Sequence, residues 1–252
     1  VIDPVTGSQT TANTFPNIGK SNLCLNCHSA RTIGDNIKKT AVNAAYDFKN
    51  LGFINSHYLT GGAIVYAVGG YEFAGLTYTN PSYYAHNQIG TSLQPATGTG
   101  GPCVGCHMTP ARHTFKGWTK DSATEELTAV VSRACITCHS EITAEEINEE
   151  KARFEAALAA LEAQLGMTGF YFSPNNPYFF TAPYDPTYIE PTDACPTNNL
   201  AVLNWQTGGT VVRTWNTTTK KCVISVGVSG TDGTGEKNMG AAYNLNLLIH
   251  DP

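Results

Sequence analysis

The residues most able to do chemistry fall into three copies of one spacing, in which two cysteines three positions apart are followed directly by histidine. In chain order the copies are Cys24-Leu25-Asn26-Cys27-His28, Cys103-Val104-Gly105-Cys106-His107 and Cys135-Ile136-Thr137-Cys138-His139. Two thiols at this spacing can form thioethers to the two vinyl groups on one porphyrin edge, and the adjacent imidazole can then bind the iron. The first, second and third motifs therefore predict three covalent haem c groups, each with one histidine ligand.

Zinc binding and disulfide formation are the other uses that the cysteines allow. A zinc site wants paired ligands at tetrahedral spacing, and it does not explain why histidine follows the second cysteine three times. Cys195 and Cys222 stand outside the motifs and are even in number. Haem attachment takes place outside the cytoplasm, where disulfides persist, so we expect these two residues to form a disulfide; two free buried thiols are the alternative.

The second axial ligands must come from the histidines outside the motifs, which are His57, His86, His113 and His250. Four candidates face three irons, and His250 is the expected spare because it follows a long stretch without a motif. Exchange of a histidine between neighbouring subunits would leave this count unchanged. Met167 and Met239 are the alternative ligands, whereas Met108 directly follows His107 and cannot reach the far face of the same haem.

Bis-histidine ligation predicts low-spin haems suited to electron transfer. An enzyme such as a multihaem reductase needs one iron with an open face for its substrate. Because the histidines exceed the demand, no open site is required, and we predict that the chain is not an enzyme.

Composition narrows the class of protein further. The 252 residues carry a formal net charge of −5, and no apolar run approaches the roughly 18 residues of a membrane span. These features argue against nucleic acid or an anionic membrane surface as a partner. The chain starts at Val1 without a charged and apolar leader, which suggests a processed, exported chain. The apolar run that ends just before Pro252 suggests that the protein continues.

Regular structure is expected to be sparse. The segment 23–118 is rich in glycine and predicts loops with short helical turns. Residues 122–140 are interpreted as a helix that leads into the third motif. The clearest helix is predicted over 144–165, with a capping box from Thr143 and Glu146 and an end at Gly166.

Two later segments differ from the rest. Residues 170–191 contain eight aromatics and five prolines, which predicts irregular chain that either covers an exposed haem edge or forms a subunit interface. Beyond them, strands are predicted at 200–205, 210–215, 222–228 and 241–249, with hairpin turns at Gly208-Gly209 and Thr217–Lys220. We therefore predict a trihaem domain over 1–191, which includes an N-terminal arm, and a small β-rich region over 192–252 that holds the disulfide.

Sequence segments around the motifs resemble those of a known protein family. Gly101-Pro-Cys-Val-Gly-Cys-His-Met108, Tyr84-Ala-His-Asn87 and His57-Tyr58 resemble the outer-surface multihaem cytochromes of metal-reducing bacteria and related archaeal proteins, of the OmcE and OmcS type. The end piece from Gly240 to Pro252 resembles a recurring C-terminal segment of exported multihaem cytochromes. The resemblance covers roughly residues 20–140 and this end piece.

The resemblance implies a multihaem cytochrome c fold, mostly irregular with a few helices, wrapped around a haem stack. It implies that His57, His86 and His113 are the distal ligands and that subunits polymerise head to tail into an extracellular filament. The OmcE-like members carry four haems, whereas this chain has three motifs. A monomeric exported shuttle is the second hypothesis and a reductase the third; the expected partners are further copies of the chain, redox proteins or extracellular acceptors. An extracellular or cell-surface location is preferred to the periplasm.

Overall fold

A computed structural model describes residues 15–57, 59–78, 85–108, 115–206, 210–227 and 232–250. Its helices and strands follow in chain order: α1 Asn22–His28, α2 Gly34–Asn43, α3 Gly61–Val65, α4 Pro102–His107, β1 Trp118–Lys120, β2 Leu127–Val130, α5 Arg133–Cys138, α6 Ala144–Met167, β3 Tyr171–Phe172, β4 Phe179–Phe180, β5 Val211–Asn216, β6 Lys221–Val226 and α7 Thr234–His250. The three strand pairs are separate antiparallel hairpins. The sparse regular structure and short helical turns between 23 and 118 agree with the prediction.

The chain forms two compact units. The first unit comprises residues 1–30, 59–69 and 78–157, and the second comprises 31–58, 70–77 and 158–252. All three motifs lie in the first unit. The helix α6 contributes its N-terminal part, up to Ala157, to the first unit and its remainder to the second.

The fully developed hydrophobic core belongs to the second unit. Trp205, Phe179 and Tyr243 are almost completely buried there. The ring of Trp205 stacks on Phe170 with centroids 5.3 Å apart, and its indole N–H donates to the carbonyl of Leu51 over 2.9 Å. Burial of aromatic rings together with a satisfied indole N–H stabilises a core of this kind.

The core of the first unit is much smaller. Among its described residues the buried apolar cluster consists of Ile18, Leu25 and Tyr66, with a few partly buried neighbours. Large apolar side chains are instead exposed at the motifs. Leu23, within α1, is 78% exposed, and Phe115, which follows the second motif, is 62% exposed. The protein part of the first unit therefore buries little apolar surface of its own.

The helix predicted over 144–165 is confirmed, and its capping box forms as expected. The N–H of Glu146 donates to the hydroxyl of Thr143 over 3.1 Å, while the carboxylate of Glu146 accepts from the N–H of Thr143 over 2.9 Å. The helix runs on to Met167, so the predicted end at Gly166 is wrong. The left-handed residue is Gly169, three positions later.

Two other predicted elements are wrong. Residues 122–140 are not one helix but contain part of the β1–β2 hairpin and the short α5. The carboxylate of Asp121 accepts from the N–H groups of Ala123 and Thr124, which stabilises a turn there. The strand predicted over 241–249 lies in α7, a helix whose Met239, Tyr243 and Leu247 are buried among their neighbours.

The remaining segments follow the predictions in part. The β5–β6 hairpin pairs Val211 with Val226 and turns at 217–220 as predicted, whereas 200–205 forms only isolated bridges. The turn predicted at Gly208-Gly209 lies outside the described residues. The segment 170–191 is mostly irregular, but it contains the β3–β4 hairpin. Phe170, Phe179 and Phe180 are buried in the second unit, so these rings form hydrophobic core and neither of the two predicted surfaces.

The predicted disulfide is present. Cys195 is bonded to Cys222, on β6, with Cα atoms 5.2 Å apart. The bond ties the segment that follows the aromatic region to the β5–β6 hairpin. Within the described residues, no helix combines the length and the apolar character needed to cross a membrane.

Candidate functional site

Each motif lies on a short helix, which places both of its cysteines on adjoining turns. The first motif is on α1, the second on α4, and the third on α5 with His139 directly after it. Because residues three apart lie on the same face of a helix, each pair of thiols can reach one porphyrin edge. His28, His107 and His139 are all exposed.

The three motifs are neighbours in space in the same order as in the chain. The helix α4 of the second motif contacts α5 of the third motif, and the N–H of Val104 in α4 donates to Ser21, just before α1 of the first motif, over 3.1 Å. Burial raises the pKa of Cys103, and burial together with Cys135 and Cys103 raises that of Cys106 to about 11. Among the described residues, no three His, Cys, Asp or Glu side chains converge to hold a metal ion.

The contact between the first and second motifs is built around Ser21, a fully buried residue just before α1. Its hydroxyl donates to the carbonyl of Gly100 over 2.7 Å and accepts from the N–H of Val104 over 3.1 Å. Val104 is in the first turn of α4, where N–H groups lack partners within the helix. Since the residue before α4 is Gly101, which has no side chain, Ser21 acts as the cap of α4 from a distant part of the chain.

Glycine makes this close approach possible. A Cβ atom on Gly101 would come within 2.5 Å of the carbonyl oxygen of Ile18 and within 2.7 Å of the hydroxyl of Ser21. Gly101 also has a φ of 81°, in the left-handed region that favours glycine. On the other side of α1, a Cβ on Gly62 would come within 2.7 Å of the carbonyl oxygen of His28. The short motif helices are therefore packed backbone against backbone.

One of the predicted distal histidines lies next to a motif histidine. The ring centroids of His86 and His139 are 6.4 Å apart, and the ring planes make an angle of 62°. Two imidazoles on opposite sides of one metal ion, with bonds of about 2.0 Å and about 1.1 Å from nitrogen to ring centre, have centroids about 6.2 Å apart. Partial burial, and then the charge of His139, lower the pKa of His86, which favours the neutral form that binds a metal.

The second motif holds its histidine in a defined orientation. Nδ1 of His107 is 2.9 Å from the carbonyl oxygen of Phe115. Only a protonated Nδ1 can donate to this carbonyl, so the free Nε2 is the nitrogen available to a metal. The ring of Trp118 meets that of His107 edge-on with centroids 6.4 Å apart.

For the other candidate ligands, the structure gives no contact with a motif histidine among the described residues. His57 and His250 belong to the second unit. His57 has left-handed backbone with a φ of 64°, and its N–H donates to the side chain of Asn55. The exposed ring of His250, at the end of α7, meets Tyr178 with centroids 6.0 Å apart. His113 lies outside the described residues, and the pairing of His57 and His113 with the motifs stays a prediction, as does the spare role of His250.

Sequence reasoning missed Ser21, and a buried serine three residues before a motif gives no signal by its type. It also missed the acidic surface at the third motif. There Cys138 and His139 line one concave surface with four carboxylates, from Glu141, Glu146, Glu149 and Glu150. The closely spaced glutamates in 141–150 were a visible signal, but they were used only to predict α6.

The residues present fit a covalently bound haem. Paired thiols with an adjacent imidazole recur three times, the ring of His86 lies 6.4 Å from that of His139, and the apolar side chains of Leu23 and Phe115 are exposed. This combination of sparse regular structure and three helix-borne attachment motifs is typical of multihaem c-type cytochromes.

Known proteins support this class. The chain is 40% identical, over 94% of its length, to the C-type polyheme cytochrome OmcC of Geobacter sulfurreducens. It is also 40% identical, over 98% of its length, to the C-type polyheme cytochrome OmcB of the same species. The chain spans only 28% and 30% of these two relatives. The similarity supports a multihaem cytochrome family, not the OmcE and OmcS type specifically. No protein-family pattern and no solved structure matches the chain.

Proposed function

We propose that the chain transfers electrons through three covalently bound haem c groups and performs no bond chemistry on a substrate. The observation that carries this proposal is the close packing of three attachment motifs in one unit, in which α4 contacts α5 and is hydrogen-bonded to Ser21, just before α1. When bound, haem c supplies a one-electron ferric–ferrous couple.

The residues of the chain have defined roles in this proposal. The cysteines of each motif anchor one group: Cys24 and Cys27, Cys103 and Cys106, Cys135 and Cys138. His28, His107 and His139 are the proximal ligands. Phe115 fixes the tautomer of His107 through its carbonyl, and Ser21 holds the first and second motifs together.

The proposed distal ligands are His86, His57 and His113, with His250 as the spare. The distance of 6.4 Å between the rings of His86 and His139 supports assigning His86 to the third motif. A filled sixth position on every iron excludes substrate from the metal, which is why we favour electron transfer over a reductase.

Intact mass and spectroscopy test the proposal. The mass of the exported protein should equal the chain plus three haems; a mass with two or four would contradict the motif count. His86→Ala should keep three haems but make about one third of the iron high-spin, because one of three sixth ligands is lost. His250→Ala, the matched control, should stay fully low-spin. A fully low-spin His86→Ala spectrum would refute the assignment, and a high-spin signal in the unmodified protein would favour a reductase.

We further propose that subunits assemble head to tail into an extracellular filament, because the sequence segments around the first two motifs resemble those of filament-forming cytochromes. Contacts of this kind that do not close generate filaments. Electron microscopy of the extracellular fraction, with a haem stain of the same band, tests the assembly. Thin regular filaments that carry the haem signal support it, whereas dispersed particles favour a monomeric exported shuttle.

A further inference from the structure

We propose that the carboxylates at the third motif hold the reduction potential of its haem below the potentials at the first and second motifs. Electrons would then enter at the third motif and pass through the second to the first. This inference rests on the proposed electron transfer through three haems.

The four carboxylates named above are the first part of the evidence. Glu141 stands two residues after His139, and Glu146, Glu149 and Glu150 lie in the first two turns of α6; all four line the same concave surface as Cys138 and His139. Negative charge near an iron stabilises the ferric over the ferrous form, because the ferric form carries one more positive charge. Carboxylates on this surface therefore lower the potential of the group bound beside them.

Basic residues offset only part of this charge. Arg153 forms ion pairs with Glu150 over 2.5 Å and with Glu149 over 3.4 Å, and Lys151 pairs with Glu155. Arg133 stands at the start of α5. In the stretch 130–155 there are six glutamates against these three basic residues. Glu141 and Glu146 have no basic partner among the ion pairs of the described residues.

The other two motifs have the opposite charge. The stretch 4–34, around the first motif, contains Lys20 and Arg31 and no acidic residue. The stretch 73–120, around the second motif, contains Arg112, Lys116 and Lys120 and again no acidic residue. The nearest acids after it are in the β1–β2 turn, where Glu125 pairs with Lys120. The sign of the charge along the chain therefore changes at Asp121, before the third motif.

Spatial order turns this charge difference into a direction. The second motif is hydrogen-bonded through Val104 to Ser21, just before the first motif, and its helix α4 contacts α5 of the third motif. One electron from an external one-electron donor reduces ferric iron at the third motif. The same electron then reduces ferric iron at the second motif and next at the first, with no bond formed or broken and no proton required. The acceptor at the second motif has the higher potential, so transfer away from the third motif is downhill.

A double substitution tests the inference on the complete haem-loaded protein. Glu141→Gln with Glu146→Gln removes the two carboxylates that lack an ion pair, and glutamine preserves the capping box of α6. One charge about 10 Å from an iron in a water-like medium changes the ferrous-to-ferric ratio about twofold, and two charges change it about fourfold. Glu155→Gln is the control, because its Cα lies roughly 13 Å further along α6 than that of Glu146.

The readout is a spectroelectrochemical titration at ionic strengths of about 0.01 M and about 0.15 M. Nuclear magnetic resonance contacts from haem methyl groups to Ile136, inside the third motif, assign the component. We expect the third-motif component to have the lowest potential. In the double variant, its ferrous-to-ferric ratio at a fixed applied potential should rise about fourfold at low salt, and most of this change should be lost at higher salt.

Each outcome separates the inference from the proposed function. A third-motif component that is not the lowest, or that moves no more in the double variant than in Glu155→Gln, overturns the inference while three reversible one-electron couples still support electron transfer. A protein with fewer than three reversible couples overturns the proposed function itself.

Discussion

Replacement of Ser21 by alanine tests how the first and second motifs are held together. Its hydroxyl makes two hydrogen bonds, to the carbonyl of Gly100 over 2.7 Å and from the N–H of Val104 over 3.1 Å. The Gly100 carbonyl keeps its bond from the N–H of Ser21 over 2.9 Å, whereas the hydrogen bond that caps α4 at Val104 is lost. Loss of a capping serine costs about 1 kcal/mol, and the second bond costs about 1 kcal/mol more.

The Ser21→Ala variant should therefore lower the free energy of unfolding of the first unit by about 2 kcal/mol, roughly a 30-fold change in the equilibrium constant. Guanidinium denaturation followed by haem absorbance measures this unit, because all three motifs lie in it. Ser140→Ala, at an exposed serine after the third motif, is the control and should change stability by less than about 0.5 kcal/mol. A Ser21→Ala variant as stable as this control would refute the capping role.

Three further predictions concern the second unit. Cys195→Ser with Cys222→Ser opens a loop with a sequence separation of 27 and should cost about 3.6 kcal/mol in thermal or denaturant unfolding of that unit; an unchanged midpoint would contradict a formed disulfide. A hydrogen bond from Gln206, and then one from the backbone at the start of α7, lower the pKa of Asp232 to about 2. The ionised Asp232 therefore stabilises the folded unit above the unfolded pKa of about 3.9, and this stabilisation is lost as pH falls towards 2. The stability of Asp232→Asn should fall less across that pH window. Tyr243→Phe removes a buried hydroxyl that donates to a backbone carbonyl over 2.6 Å and should lower the unfolding free energy by about 1–2 kcal/mol, with no loss as the contrary result.

Local signals in the sequence predicted elements that are set locally. The capping box of Thr143 and Glu146 marks the start of α6, and alternation with turn residues marks the β5–β6 hairpin. Both elements depend on residues that are neighbours in the chain, so the local sequence pattern predicts them. The disulfide between Cys195 and Cys222 was predicted from cysteine count and redox compartment, which also need no tertiary information.

Tertiary packing decided the elements that were predicted wrongly. The run at 241–249 is apolar enough for a buried strand, but α7 is a helix buried on several sides, and periodicity does not separate these cases. The prolines around the aromatic residues of 170–191 favour an irregular surface segment, yet Phe179 and Phe180 are buried in the second unit.

The same distinction between local sequence signals and tertiary contacts applies to the candidate site. The residue types of the three motifs predicted which side chains could bind haem. The motif spacing did not show that α4 contacts α5 or that Ser21 caps a helix 80 residues away, because those contacts are made between distant segments. The proximity of His86 to His139 likewise required the fold.

The unequal cores of the two units have a consequence for how the protein is made. The second unit buries Trp205, Phe179 and Tyr243 and can stabilise itself with its own side chains, whereas the first leaves Leu23 and Phe115 exposed at the motifs. If haem c is attached as proposed, the macrocycles would cover apolar surface of the first unit, and much of that unit's stability would come with their attachment. Folding of the first unit and cofactor attachment would then be one process.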